Sequence, residues 1–347
     1  MANKEISSIR HSPFAIGQSA DTEELTLMHY SVQHVTRFRY SSPVRQSVME
    51  LRMQPRSEGP QSLRNFQVST NPRAQLYAYT DHLGNAVYHF NVLREHSELR
   101  IETQSLVEMV PFHPLPEATD PLEWERYNSY NLRDDHYDML EASKFAHISA
   151  SLSNFMAEHG LIVPKSDPLT VLKSLNTTIY DAFSYQVGVT DASSPIDDAL
   201  NAGRGVCQDF AHIMIAVARS WGIPARYVSG YLYHRPKSSD RSGEDATHAW
   251  MEAWMPSLGW IGFDPTNNIL ASERHIRVAV GRDYSDVPPT RGTYKGSAES
   301  ELAISVSVQP TRAPIQHEEF LRVARPVKGT QRTDNADQFY QQQQQQQ

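Results

Sequence analysis

Tyr30, Val32, His34, Thr36, Phe38 and Tyr40 fall on one parity of the chain, while Gln33, Arg37 and Arg39 fall on the other. A period of two is the pattern of a half-buried strand. Two aromatic-rich runs follow, QLYAYT (75–80) and AVYHFNVL (86–93), and Asp81, Gly84 and Asn85 supply turn chemistry between them. That combination predicts a hairpin. ELRIETQSLVEM (98–109), with Leu99 and Ile101 on one face, predicts a further strand. Residues 25–112 therefore read as a small antiparallel β domain, preceded over 1–24 by a polar, unpatterned arm.

The pattern changes at Pro111. PFHPLPEATDPLEW carries four prolines in fourteen residues, which removes backbone donors, and residues 113–165 read as a linker with helical segments, one of them over about 138–158. From 166 to 290 helical and strand periods share one core. Pro168 opens a helix on which Leu172, Leu175 and Ile179 share a face. Phe210, Ile213, Met214 and Val217 recur at helical spacing until Gly222 and Pro224 end the run. ARYVSGYLY (225–233), THAWMEAW (247–254) and WIGFDPT (260–266) are β-rich, and MPSLG (255–259) joins the last two. The extension over 291–330 holds one alternating run, LAISVSVQP (302–310), expected to return to one of the sheets, and 331–347 is a glutamine-rich tail with too little apolar surface to fold. The class is α+β.

Composition narrows the function. The chain is 39% apolar and 21% charged with a net charge of −8, which argues against a nucleic-acid backbone or an anionic membrane as main partner. No run approaches the ~18 apolar residues of a membrane span, and the first twenty residues lack the basic end and apolar stretch of a secretory signal. The expected location is cytoplasmic. A single cysteine, Cys207, excludes an intrachain disulfide and leaves three readings: an inert packed side chain, a metal ligand or a nucleophile. There is no HExxH, no cysteine pair and no EF-hand spacing, so neither metal nor cofactor is expected.

Cys207 lies in GRGVCQDFAH, where glycines at 203 and 205 permit close backbone approach and a helix is expected to begin at the thiol. A helix N-terminus points free N–H groups and partial positive charge outward and favours thiolate, the reactive form. Asp209 falls in the first turn, where an acid suits the helix. A base has to be found by geometry, because fifteen histidines make chance placement easy. With MPSLG as a five-residue connection and Trp254 opposite Trp260, paired positions sum to 514. Because that sum is even, His248 and Asp264 share a face as diagonal neighbours. Alone, His248 is an ordinary strand histidine and Asp264, before Pro265, an ordinary turn residue. Together with Cys207 they are a candidate thiol, base and orienting acid.

GRGVCQDFAHIMIAVARSWGIPARYVSGYLY, DATHAWMEAWMPSLGWIGFDPTNN and GRDYSDVPPTRGTYKG resemble the core of the bacterial transglutaminase-like proteins. HVTRFRYSSPVRQSVMELRMQPR and DHLGNAVYHFNV resemble that family's N-terminal β domain. The resemblance implies a papain-like core with the cysteine on a helix packed against an antiparallel sheet. It makes Cys207 the nucleophile, His248 its base and Asp264 the group that orients the base. The implied activity is acyl transfer from a peptide or protein carboxamide through a thioester, ending in hydrolysis or in transfer to a primary amine. The alternative is a catalytically silent binding module of the same fold. Tyr185, Gln208 and Trp250 are further candidates for an oxyanion or substrate pocket, with Trp254 and Trp260 as possible groove residues; packing is the alternative at each aromatic position.

Overall fold

A computed structural model describes residues 27–112, 114–243 and 246–312. The arm over 1–24 and the tail over 331–347 lie outside the described residues. Strands β1 (Met28–Val44), β2 (Gln46–Leu51), β3 (Gln61–Asn71), β4 (Leu76–Thr80), β5 (Ala86–Val92) and β6 (His96–Met109) come first. Short helices α1 (Glu123–Tyr127), α2 (Tyr130–Asp135), α3 (Tyr137–Leu140) and α4 (Ala150–Glu158) follow, then α5 (Pro168–Ala182). The remainder is β7 (Ser184–Tyr185), α6 (Ile196–Ala202), β8 (Arg204–Gly205), α7 (Cys207–Ser220), β9 (Ala225–Leu232), β10 (His248–Met255), β11 (Gly259–Asp264), β12 (Ile269–Leu270), β13 (His275–Gly281), β14 (Thr290–Lys295) and β15 (Ser300–Thr311).

The first region is a pair of four-stranded antiparallel sheets, ordered β15-β1-β6-β3 and β14-β2-β5-β4. Tyr30, Val32, His34, Thr36, Phe38 and Tyr40 are all buried along β1, as their parity predicts. Asp81 closes the β4–β5 turn by accepting from the N–H groups of Leu83 and Asn85, and Gly84 takes φ 78°, which needs no Cβ. The returning strand 302–310 is β15, paired along β1, and β14 pairs with β2, so the two last strands complete sheets begun by the first residues. Among the described residues no helix is long and apolar enough to cross a membrane.

The helix expected over 138–158 is two helices. α3 ends at Leu140 and α4 starts at Ala150, behind Ser149, whose hydroxyl caps Leu152 N–H at 3.1 Å. The intervening backbone is used elsewhere: Arg219, buried near the end of α7, donates to the carbonyls of Met139 and Glu141, and Asp283 accepts from Phe145 N–H. Those long-range bonds outweigh local helix propensity.

In the second region α7 packs on the five-stranded antiparallel sheet β12-β11-β10-β9-β13. α7 is apolar around most of its circumference, so almost all of it is buried. Its inward neighbours on β10 are Ala249, Met251 and Ala253. The β sandwich covers the outer edge strand β13. There the carboxamide of Gln61 both donates to Arg277 O (2.8 Å) and accepts from Arg277 N–H (2.8 Å), and Asn85 does the same with Val280 (2.9 and 2.8 Å). Two side chains thus stand in for a neighbouring strand and satisfy an edge that would otherwise be open.

Candidate active site

Cys207 is the first residue of α7, and three local devices put it there. Gly203 ends α6 at φ 63°. β7 and β8 form a two-residue parallel ladder that sets Tyr185 opposite Gly205. Asp209 reaches back over the helix start, where its Oδ2 accepts from Val206 N–H at 2.8 Å and from the Thr190 hydroxyl at 2.6 Å. A Cβ on Gly205 would lie 2.5 Å from that same oxygen, so residue 205 has to be glycine for the acid to reach the backbone. Asp209 is buried, and burial lifts its carboxyl to about 6 in spite of the two donors.

The β10–β11 hairpin places the other two groups. Trp254 pairs with Trp260 and Met251 with Phe263, the register that sums to 514. His248 Nε2–H donates to Asp264 Oδ2 at 2.8 Å. Asp264 is fully buried yet strongly solvated by protein: its Oδ1 accepts from the N–H of Thr266 (3.0 Å) and Asn267 (3.3 Å), and its Oδ2 also accepts from the Asn267 amide (2.8 Å). Burial pushes the carboxyl upward, but the charge and hydrogen bond of His248, followed by those of His275, hold it well below the usual carboxylate range. Burial likewise opposes charge on His248, and the Asp264 anion outweighs it, lifting the imidazole to about 10 with a smaller contribution from Cys207.

With Nε2 committed to Asp264, Nδ1 is the nitrogen left for the thiol. It is buried and has no aligned partner. Cys207 contributes to the elevation of His248 through a side-chain contact, and at 3% and 2% exposure both groups lie out of water.

Of the remaining sequence candidates, Tyr185 is near the thiol. Its hydroxyl is held protonated by burial first and by the proximity of Cys207 second. Gln208, the next residue on α7, is buried with Oε1 unpartnered and only a long 3.4 Å contact from Nε2 to Ala192 O. Trp250 lies wholly inside the protein. It is 0% exposed and lies across Gly230, where a Cβ would come within 2.6 Å of its ring, while stacking on His248 at 6.0 Å. Trp254 and Trp260 pack edge to face on each other, and Arg226 lies over Trp260. Those groups serve the far end of the hairpin. A cavity of about 720 Å³ lies in the β sandwich, lined by Phe38, Tyr40, Met49 and Tyr294 among others, and by none of the site residues.

Two residues at the site were not singled out from sequence. Tyr227 on β9 is fully buried with a partnerless hydroxyl, kept neutral by burial and then by the charges around Cys207. His275, at the start of β13, brings its Nε2 to 3.2 Å from Asp264 Oδ2. The hairpin arithmetic stops at β11, whereas His275 arrives after the chain has turned through 271–274 to the other side of the sheet. Its only sequence signal is its place at the head of HIRVAVG. His248, Asp264 and His275 are ligand types for a cation and present atoms within 4.8 Å of one another. Those atoms are hydrogen-bonded to each other, which accounts for their closeness without an ion.

Residues 157–265 match the model of the transglutaminase-like superfamily, and residues 30–108 that of the bacterial transglutaminase-like N-terminal region. An uncharacterised protein of Mycobacterium leprae is 34% identical over 80% of this chain and 97% of its own length. One from Mycobacterium tuberculosis is 35% identical over 83% of this chain and 95% of its own. A protein-glutamine gamma-glutamyltransferase of Pseudomonas aeruginosa is 29% identical over 33% of this chain and 18% of its own. In fold, a candidate cysteine protease from Cytophaga hutchinsonii superposes with a TM-score of 0.65 at 18% identity, covering 84% of this chain and 93% of that one. The chain belongs to the transglutaminase-like superfamily and carries that group's bacterial N-terminal region ahead of a papain-like α+β core.

Proposed function

We propose that this protein is a cysteine-dependent acyl-transfer enzyme acting on a carboxamide of a peptide or protein. The observation that carries the reading is one imidazole, His248, fixed at Nε2 by a buried carboxylate and left with a free Nδ1 toward the chain's only thiol. His248 holds the thiol proton as an imidazolium paired with Asp264, and Cys207 Sγ attacks the carboxamide carbon. The C–N bond breaks, His248 returns the proton to the leaving ammonia or amine, and an acyl-Cys207 thioester remains. Water or a primary amine then attacks the thioester carbonyl and restores the thiol. The Cys207 backbone N–H, at the first helical position, is available to the oxyanion, and the protonated Tyr185 hydroxyl is the candidate second donor. Side chains over the buried thiol have to move aside for a donor to enter, since Cys207 is 3% exposed. A lone thiol suits the reducing cytoplasm.

The test offers glutaminyl peptides and peptide libraries with and without a primary amine. Ammonia release, amine incorporation and backbone cleavage are each compared with Cys207→Ala. Amine incorporation supports transglutaminase chemistry, and cleavage or ammonia release alone supports a peptidase or amidase. Any of them must vanish in Cys207→Ala; absence of all three with every donor leaves the silent binding module standing.

A further inference from the structure

We propose that His275 is a positioning residue, a second imidazole that holds Asp264 for His248 and extends the site to Cys207–His248–Asp264–His275. Its purpose rests on the acyl-transfer reading; its geometry does not.

The protonation of His275 follows from its partners. The backbone N–H of Ser272 donates to Nδ1 at 3.1 Å. A ring nitrogen that accepts carries no proton, so the proton of the neutral ring sits on Nε2 and is donated to Asp264 Oδ2 at 3.2 Å. The ring is 1% exposed at its side chain and stands edge-on to Trp250, with centroids 5.1 Å apart. Burial keeps His275 below the ordinary imidazole value against the pull of Asp264, and the neighbouring charges of His248 and Arg274 act in the same direction as burial. One carboxylate oxygen therefore serves two imidazoles of different state. His248 carries the positive charge toward the thiol, while His275 is the neutral donor that helps fix the anion. A histidine that touched Asp264 by packing alone would need neither the Ser272 bond nor this single tautomer.

The experiment reads alkylation of Cys207, the chain's only thiol, by iodoacetamide at neutral pH in folded protein, so no substrate is required. The proteins compared are wild type, His248→Ala, His275→Asn and His275→Gln. Asn is too short to present an N–H at the Nε2 position, whereas the Gln amide reaches it. His248→Ala is expected to slow alkylation most. His275→Asn should slow it on the order of tenfold, as expected when an orienting contact is lost, and His275→Gln should stay within about threefold of wild type. If His248→Ala is slow and His275→Asn matches wild type, the positioning role is wrong and the acyl-transfer reading stands. Equal loss in Asn and Gln variants also overturns it, because restoring the donor then restores nothing. If His248→Ala is as fast as wild type, the acyl-transfer reading itself fails. Nitrogen-15 NMR of histidine-labelled wild type is the check that needs no variant. His275 should remain neutral with its proton on Nε2 across neutral pH; a proton on Nδ1, or ordinary imidazole titration, contradicts the assignment.

Discussion

The β sandwich and the α7–β10–β11 core bury polar atoms on opposite terms. In the sandwich the buried polar side chains mostly find partners, such as Ser47 with His96 at 2.9 Å and the Asn85 and Gln61 amides on β13. Close to Cys207, buried atoms of His248, Gln208 and Tyr227 lack one. An unpaired buried group costs roughly 1–3 kcal/mol, so their concentration in one place is a local sacrifice of stability. The sandwich is built to be stable and to cover an edge. On the proposed acyl-transfer reading, the core keeps hydrogen-bonding capacity open where an acyl group and its oxyanion would need it.

The sharpest test of that contrast is a pair of substitutions with opposite signatures. Asp264→Asn removes the anion that charges His248, and acyl transfer should fall by about 10³-fold or more, by analogy with loss of the acid from a triad. Phe90→Ala, at a fully buried sandwich position, should cost about 3–5 kcal/mol of stability while turnover per folded molecule is unchanged. Urea denaturation and turnover measured on the same samples decide it. A Phe90→Ala protein that folds but has lost turnover would mean that the two regions do not divide the work in this way.

A smaller effect separates the regions by pH. His34 on β1 is lowered to about 3 by burial, so it stays neutral in the fold while the unfolded chain takes up a proton near 6.5. Stability on its account falls as pH drops below that value. His248 is raised to about 10, so its contribution is full below 6.5 and is lost as pH rises through about 10. His34→Gln should flatten the acid side of a stability–pH curve and His248→Gln the alkaline side. Other groups, including the buried His212, add to the acid side, so the effect is read as the difference from wild type.

Much of the fold was legible because period two survives wherever one face of a strand is buried, as along β1. The His248–Asp264 relation was legible because a tight hairpin fixes register within a few residues. The split of 138–158 into α3 and α4 was not, since it depends on Arg219 and Asp283, some eighty and more than a hundred residues away. Parity assigned Trp250 its face on β10 but not what covers it, so pocket and packing stayed side by side for that residue. His275 and the reach of Asp209 to Val206 depend on a turn and a glycine contact, and neither leaves a periodic trace.

The proposed mechanism requires that Cys207 become acylated. The most direct measurement is acid-quenched mass spectrometry of the protein mixed with a glutaminyl donor in the absence of amine. The expected result is an acyl adduct on the peptide containing Cys207, with ammonia released in at least equal amount because water turns the thioester over, and with no adduct in Cys207→Ala. Turnover that persists in Cys207→Ala, or an adduct on any other residue, would contradict it.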